Sequence, residues 1–179
     1  FGCGQSGDVF KFLMERQGMD FVEAVKYVGG KAGVEVREVK RATEAEDPNQ
    51  ALYGINAFAS DWFQECLIDA ESGKAARAYL KERGVSSEVA EKFGLGYAPN
   101  EWGALRNAAA KHGLEDSLIL EAGLLNTSDR KKDPYDRFRG RIMFPIESIS
   151  GRIIAFGGRD FESDQADVPK YLNSPETPI

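Results

Sequence analysis

Basic side chains crowd one stretch of this 179-residue chain. Between Arg130 and Arg159 stand eight of them (Arg130, Lys131, Lys132, Arg137, Arg139, Arg141, Arg152, Arg159) against three acids (Asp133, Asp136, Glu147). That is a local charge of +5 in a chain of net −6, which leaves −11 for the remainder. Alternate residues of a strand share a face, so an extended backbone would put Arg137, Arg139 and Arg141 on one side and Phe138 on the other. Guanidiniums two residues apart suit the phosphates of a nucleic-acid backbone, which they bond bidentately. Such contacts hold a strand without reading its sequence and weaken steeply with salt. A solvated strand face with surface ion pairs of little energetic weight has the same composition, which leaves both readings open.

Other groups with chemistry are sparse. Cys3 and Cys66 are too few for a disulfide framework and too far apart to be a metal pair on spacing alone. Cys66 lies in an apolar-rich run, 62–68, and reads as a core thiol. The single histidine, His112, precedes Gly113 and reads as a cation at a helix C-terminus rather than a catalyst. Phosphoryl transfer assisted by metal ions needs clustered carboxylates. Glu162, Asp164 and Asp167 sit in an acidic loop without an orienting motif, and no E-G-x-x-D or D-x-D cluster occurs. No catalytic residue is therefore expected within the chain.

The elements that must position these groups can be read from the pattern. A composition 42% hydrophobic and 29% charged is that of a globular protein. No apolar run approaches the ~20 residues that span a bilayer, and no signal peptide opens the chain, so a cytoplasmic protein with no membrane partner is expected. The sequence starts inside Phe1-Gly2-Cys3-Gly4, without Met, and stops at Pro178-Ile179, so a piece of a longer protein is expected. Residues 1–36 read as a Gly-rich turn and two helices, the first capped by Ser6 or Asp8, the second opened by a capping box of Asp20 and Glu23. Residues 37–48 have linker composition, with Asp47 and Pro48 as N-cap and first helical residue of a third helix. Helical periodicity predicts helices at about 49–70, 74–82, from Ser86 to Gly94 with Val89, Ala90 and Phe93 inward, 101–112 and 115–122. Residues 126–134 read as a polar turn. Strands come next at 135–139, 141–146 and 152–156, then an extended segment at 171–178. The fold class is α+β, helices first and a small, mostly antiparallel sheet second.

Three blocks stand in order: YDRFRGRIMFPI (135–146), GRIIAFGGR (151–159) and PKYLNSPETP (169–178). They resemble the stretches ahead of the Toprim fold in bacterial DnaG-type primases, and LKERGVS (80–86) and FGLGYAP (93–99) look like the start of the same subdomain. Phe1-Gly2-Cys3-Gly4 with Gly7-Asp8 and Phe12-Leu13 resembles the end of the primase zinc-binding module. The resemblance implies a C-terminal remnant of that module at 1–36, a linker at 37–48 and, at 49–179, the N-terminal subdomain of the RNA polymerase core.

It further implies a parent enzyme, a nucleotidyltransferase that lays RNA primers on single-stranded DNA at the replication fork. By resemblance Arg137, Arg139 and Arg141 contact template or primer–template duplex. Arg83, Arg159, Lys170, Tyr171 and Asn173 line the nucleotide-binding edge for ribonucleoside triphosphates, Ser174 more weakly, and Gly157-Gly158 lets the backbone approach the phosphates. Asp136 orients a neighbouring arginine. Cys3 is the last ligand of a zinc site whose other ligands precede residue 1, so zinc belongs to the intact protein and not to this piece. Magnesium or manganese belongs to the Toprim domain, and a replicative helicase to a far C-terminal domain. Two rivals remain: a phage or plasmid primase–helicase, and a non-catalytic single-strand-binding module. For the latter the aromatics available to stack bases are Tyr97, Tyr135 and Tyr171.

Overall fold

The computed structural model describes residues 7–34, 36, 47–128, 131–161 and 168–179, with the backbone alone at 131 and 132. They fall into two compact units. The first carries α1 (Val9–Gln17) and α2 (Phe21–Lys31); the second comprises residues 47–147 and 152–179. In the first unit Asp8 caps α1, its carboxylate accepting from Lys11 N at 2.9 Å, and the Asp20–Glu23 capping box forms as the sequence predicts. Leu13, Met19 and Ala24 make its small core.

The second unit is built on α3 (Gln50–Ile68), followed by α4 (Lys74–Glu82), α5 (Ser87–Lys92), β1 (Gly96–Ala98), α6 (Ala104–Lys111) and α7 (Asp116–Glu121). A hairpin of β2 (Leu125–Ser128) and β3 (Lys131–Asp136) comes next, then β4 (Arg141–Glu147), β5 (Ile153–Asp160) and β6 (Tyr171–Asn173). The larger sheet is antiparallel throughout in the order β1-β4-β5-β6. Pro145 fits inside β4 because β1 pairs only with 141–143, so its missing N–H faces no ladder partner on that side.

Apolar side chains cover both faces of the sheet where β1 and β4 meet. On one face Leu52, Ile55, Ala59 and Phe63 of α3 pack with Met143 and Phe156; on the other Leu67, Ala76, Leu80 and Ala90 pack with Tyr97 and Ile142. Phe63 meets Phe156 edge-on at 5.5 Å. Strict alternation along β4 is therefore lost. Ile142 and Met143 are both buried, whereas Phe144 and Ile146, expected to share the face of Ile142, are exposed.

Four sequence expectations are corrected. The third helix starts at Gln50 rather than Pro48, because Asp47 closes a turn by accepting from Asn49 N at 2.9 Å. In α5 only Ala90 turns inward; Val89 is exposed and Phe93 is 63% exposed. Residues 126–128 and 131–134 are strand rather than turn, and the strand expected over 135–139 breaks after Asp136. Phe138 breaks it by diving into the core, and Gly140, with φ of 60°, returns the chain to β4.

Candidate functional site

The antiparallel register places Arg159 of β5 opposite Tyr171 of β6 and Gly157 opposite Asn173, so Arg159, Tyr171 and Asn173 share one face of the sheet edge. Helix α4 brings Tyr79 to the same place. Arg159 Nε donates to Tyr79 Oη at 2.6 Å, and its Nη1 donates to Tyr171 Oη. Arg83, just past the end of α4, lays its guanidinium 5.3 Å from the centre of the Tyr79 ring. Tyr171 is 61% exposed and Lys170 beside it is exposed. Among the described residues no carboxylate pairs with Arg83, Arg159 or Lys170, so the cluster keeps its positive charge. Arg83, Arg159 and Tyr171 are thus brought together as one group, with Lys170 just before the edge strand and Asn173 at its end.

Gly158, on the opposite face from Arg159, has a different task from the one expected. A Cβ on Gly158 would lie 2.8 Å from Phe138 Cδ1 and 3.0 Å from Arg141 Cδ, so Gly158 admits this chain's own side chains rather than a ligand. Ser174 is likewise occupied: its Oγ accepts from Phe156 N at 3.0 Å.

The three arginines of the expected row have three separate environments. Arg141 is only 4% exposed, donates to Gly158 O and Pro169 O at 3.3 and 2.8 Å, and faces Asp160 at 3.8 Å. Burial also pulls its guanidinium below the ordinary arginine range. The side chain expected to meet phosphate is a cross-link inside the fold. Arg137 donates through Nε and Nη2 to Asn173 O at 3.1 and 2.8 Å and through Nη1 to Asn126 Oδ1 at 3.2 Å, tying β2 to β6. Arg139 differs again. Its guanidinium lies 4.2 Å from the centre of the Trp102 ring and 5.4 Å from that of Tyr135.

Trp102 was not singled out by the sequence. It is 57% exposed and meets Tyr135 at 5.4 Å, so Trp102, Tyr135 and Arg139 form an aromatic and cationic platform at the surface. Its signal was a tryptophan in the polar stretch between Pro99 and Gly103, ahead of Ala104, where the helix expected from 101 actually begins. Of the other aromatics named for stacking, Tyr97 is buried. Asp136 does meet a neighbouring arginine, its backbone oxygen accepting from Arg139 Nη1. Its two carboxylate oxygens accept from Leu105 N and Arg106 N at 2.7 and 3.1 Å, capping α6 from across the fold, while burial raises its carboxyl above the ordinary range.

Metal ligands are not assembled by the described residues. Among them no group of three or more His, Cys, Asp or Glu converges, and Cys3, Glu162, Asp164 and Asp167 lie outside the described residues, as do Arg130 and 37–46 of the expected linker. The described residues therefore assemble no site for zinc, magnesium or manganese. A groove of about 760 Å³ between α3, α4 and α5 is lined by apolar side chains such as Leu67, Leu80, Val85 and Leu95. None of the expected site residues lines it. No described helix is long and apolar enough to cross a membrane.

Residues 62–179 match the family model of the DNA primase catalytic core, N-terminal domain, and residues 1–44 match that of the CHC2 zinc finger. This chain belongs to the DNA primase family. A DNA primase of Halalkalibacterium halodurans is 42% identical over 180 residues, a match covering 100% of this chain and 30% of the relative. The structure of a DnaG primase catalytic domain bound to ssDNA superposes with a TM-score of 0.63 at 40% identity, over 73% of this chain and 39% of that one. The Aquifex aeolicus primase, zinc-binding and RNA polymerase domains, gives a TM-score of 0.63 at 30% identity, over 99% of this chain and 41% of that one. The chain thus spans under a third of the length of the curated primases it matches. Their catalytic-core structures have the same mixture of helices and a small antiparallel sheet.

Proposed function

We propose that this chain is the front part of a primase, a DNA-directed RNA polymerase that joins ribonucleotides into short primers on single-stranded DNA. The observation that carries this reading is the pair of cations Arg83 and Arg159 on one tyrosine ring, with no carboxylate partner among the described residues, in a member of this family. A triphosphate needs several cations at once, and Tyr171 and Asn173 add hydroxyl and amide groups for its sugar or phosphates. The Trp102–Tyr135–Arg139 platform is the template contact, stacking a base and holding a phosphate. Arg137 supports that wall, and Arg141 holds it from within. That a similar structure, a DnaG primase catalytic domain, is bound to ssDNA supports single-stranded DNA as the ligand.

In this reading residues 1–36 are the C-terminal part of the zinc module with Cys3 as a zinc ligand, 37–48 the linker and 49–179 the N-terminal core subdomain. The carboxylates that hold magnesium or manganese lie in a Toprim domain outside these residues, so the isolated chain is inert. Helicase contact belongs to a C-terminal domain, and the work is cytoplasmic.

Fluorescence anisotropy with labelled single-stranded DNA across a salt series tests the template contact. Arg139→Ala should weaken binding and flatten the salt slope by about one unit. An unchanged affinity and slope would remove Arg139 from the interface.

A further inference from the structure

The nucleotide cluster has a centre that no motif announced. Helix α4 is fixed in place by Ala76 and Leu80, which pack with Ile142 and Leu95, and by Arg77, whose guanidinium bonds the carbonyls of Leu67, Asp69 and Ala70 at the end of α3. This aims Tyr79 at the sheet edge, where Phe161 packs on its ring at 5.1 Å and Tyr97 backs Phe161 at 6.0 Å. The ring serves two cations, with the guanidinium carbons of Arg83 and Arg159 at 5.3 and 5.6 Å from its centre. Its hydroxyl oxygen accepts from Arg159 Nε at 2.6 Å.

We infer that Tyr79 is a positioning residue that presents Arg159, and through its ring Arg83, to the phosphates of a bound ribonucleoside triphosphate; this rests on the proposed nucleotide site. The chemistry of the anchor matters. A free arginine side chain loses rotamer entropy each time it meets a ligand, and an anchor removes that cost beforehand. A carboxylate anchor would neutralise the charge the ligand needs, as Asp160 offsets that of Arg141. A tyrosine hydroxyl fixes Nε and leaves the guanidinium cationic, with N–H groups of Nη1 and Nη2 still to give. Because Tyr79 Oη accepts from Arg159, its own proton points elsewhere and stands ready as a further donor to an anionic oxygen. Tyr171 braces the same guanidinium from an exposed edge strand. Tyr79 does so from a half-buried aromatic stack backed by the buried Tyr97, and it is the firmer of the two.

The test uses the full-length primase that carries this chain, extending a pre-annealed primer, with KM and kcat measured for the incoming ribonucleoside triphosphate. Tyr79→Phe keeps the ring and its packing and removes only the hydroxyl. It should raise KM roughly threefold to thirtyfold, within the span of coupling between contacting residues, with kcat held within about twofold and the melting temperature unchanged. In an Arg159→Ala background the same change should add nothing, because Tyr79 acts through Arg159. If Arg159→Ala raises KM and Tyr79→Phe does not, or if the two effects simply add, Tyr79 is no positioning residue and the nucleotide site stands without it. If Arg159→Ala leaves KM untouched, the nucleotide-site reading fails and the inference falls with it.

Discussion

Arg141 and Arg159 lie on neighbouring, hydrogen-bonded strands, yet they face opposite sides of the same sheet. Register decides this: Arg141 pairs with Asp160, and Arg159 pairs with Ile142. On one side the guanidinium is enclosed by backbone carbonyls and a carboxylate; on the other it is held by two tyrosine hydroxyls at an edge strand. The residue type and the local charge are the same. What separates a structural arginine from one available to a ligand is whether its partners are carboxylate and carbonyl or neutral hydroxyl, and whether a strand covers it. Arg139 is a third case, a cation lying on exposed aromatic rings.

The sharpest way to break this contrast is Arg141→Ala. It would take the cation away from Asp160 and the donor away from the carbonyls of Gly158 and Pro169, and removing one half of a buried pair costs about 3–5 kcal/mol. Urea denaturation of the chain should show that loss. A variant of full stability that has lost DNA affinity would put Arg141 at the template instead. Trp102→Ala tests the platform next. Base stacking on an aromatic is worth about 1–3 kcal/mol, so single-strand affinity should fall roughly fivefold to 150-fold with folding intact. Loss of stability in its place would make the platform a packing feature.

The smallest effect concerns Cys66, whose thiol burial pushes up to about 12, with Glu65, Asp69 and Glu101 adding repulsion. A raised value favours the protonated thiol in the fold, so its contribution to stability is intact at neutral pH and fades as pH rises from about 9 towards 12. Iodoacetamide at pH 8 should leave Cys66 unmodified in the folded chain and alkylate it in urea. Equal rates in both would show the thiolate to be accessible.

Much of this was legible in the residues. Asp8, Asp20 with Glu23, and Ser86 announce helix starts by local hydrogen bonding, and each does cap its helix. The three blocks pointed to the family and to Arg83, Arg159, Lys170, Tyr171 and Asn173, of which the fold gathers Arg83 and Arg159 on the ring of Tyr79 and sets Tyr171 against Arg159. What stayed hidden depends on tertiary placement. Alternation predicted one face for Arg137, Arg139 and Arg141 because nothing local shows that Phe138 is drawn into the core and breaks the strand. The β2–β3 hairpin is polar and basic, so its pairing leaves no apolar alternation to read. Asp136 caps a helix thirty residues earlier in the chain, and Tyr79 reaches Arg159 across eighty, distances at which spacing carries no signal.

One measurement bears most directly on the division of labour between the two cationic regions. In the full-length primase, KM for the incoming ribonucleoside triphosphate and Kd for single-stranded DNA are determined for Arg159→Ala and Arg139→Ala. The effects should cross: Arg159→Ala raises KM and leaves Kd, while Arg139→Ala raises Kd and leaves KM. If both variants move both constants alike, the sheet edge and the aromatic platform are a single site, and the assignment made from their partners is wrong.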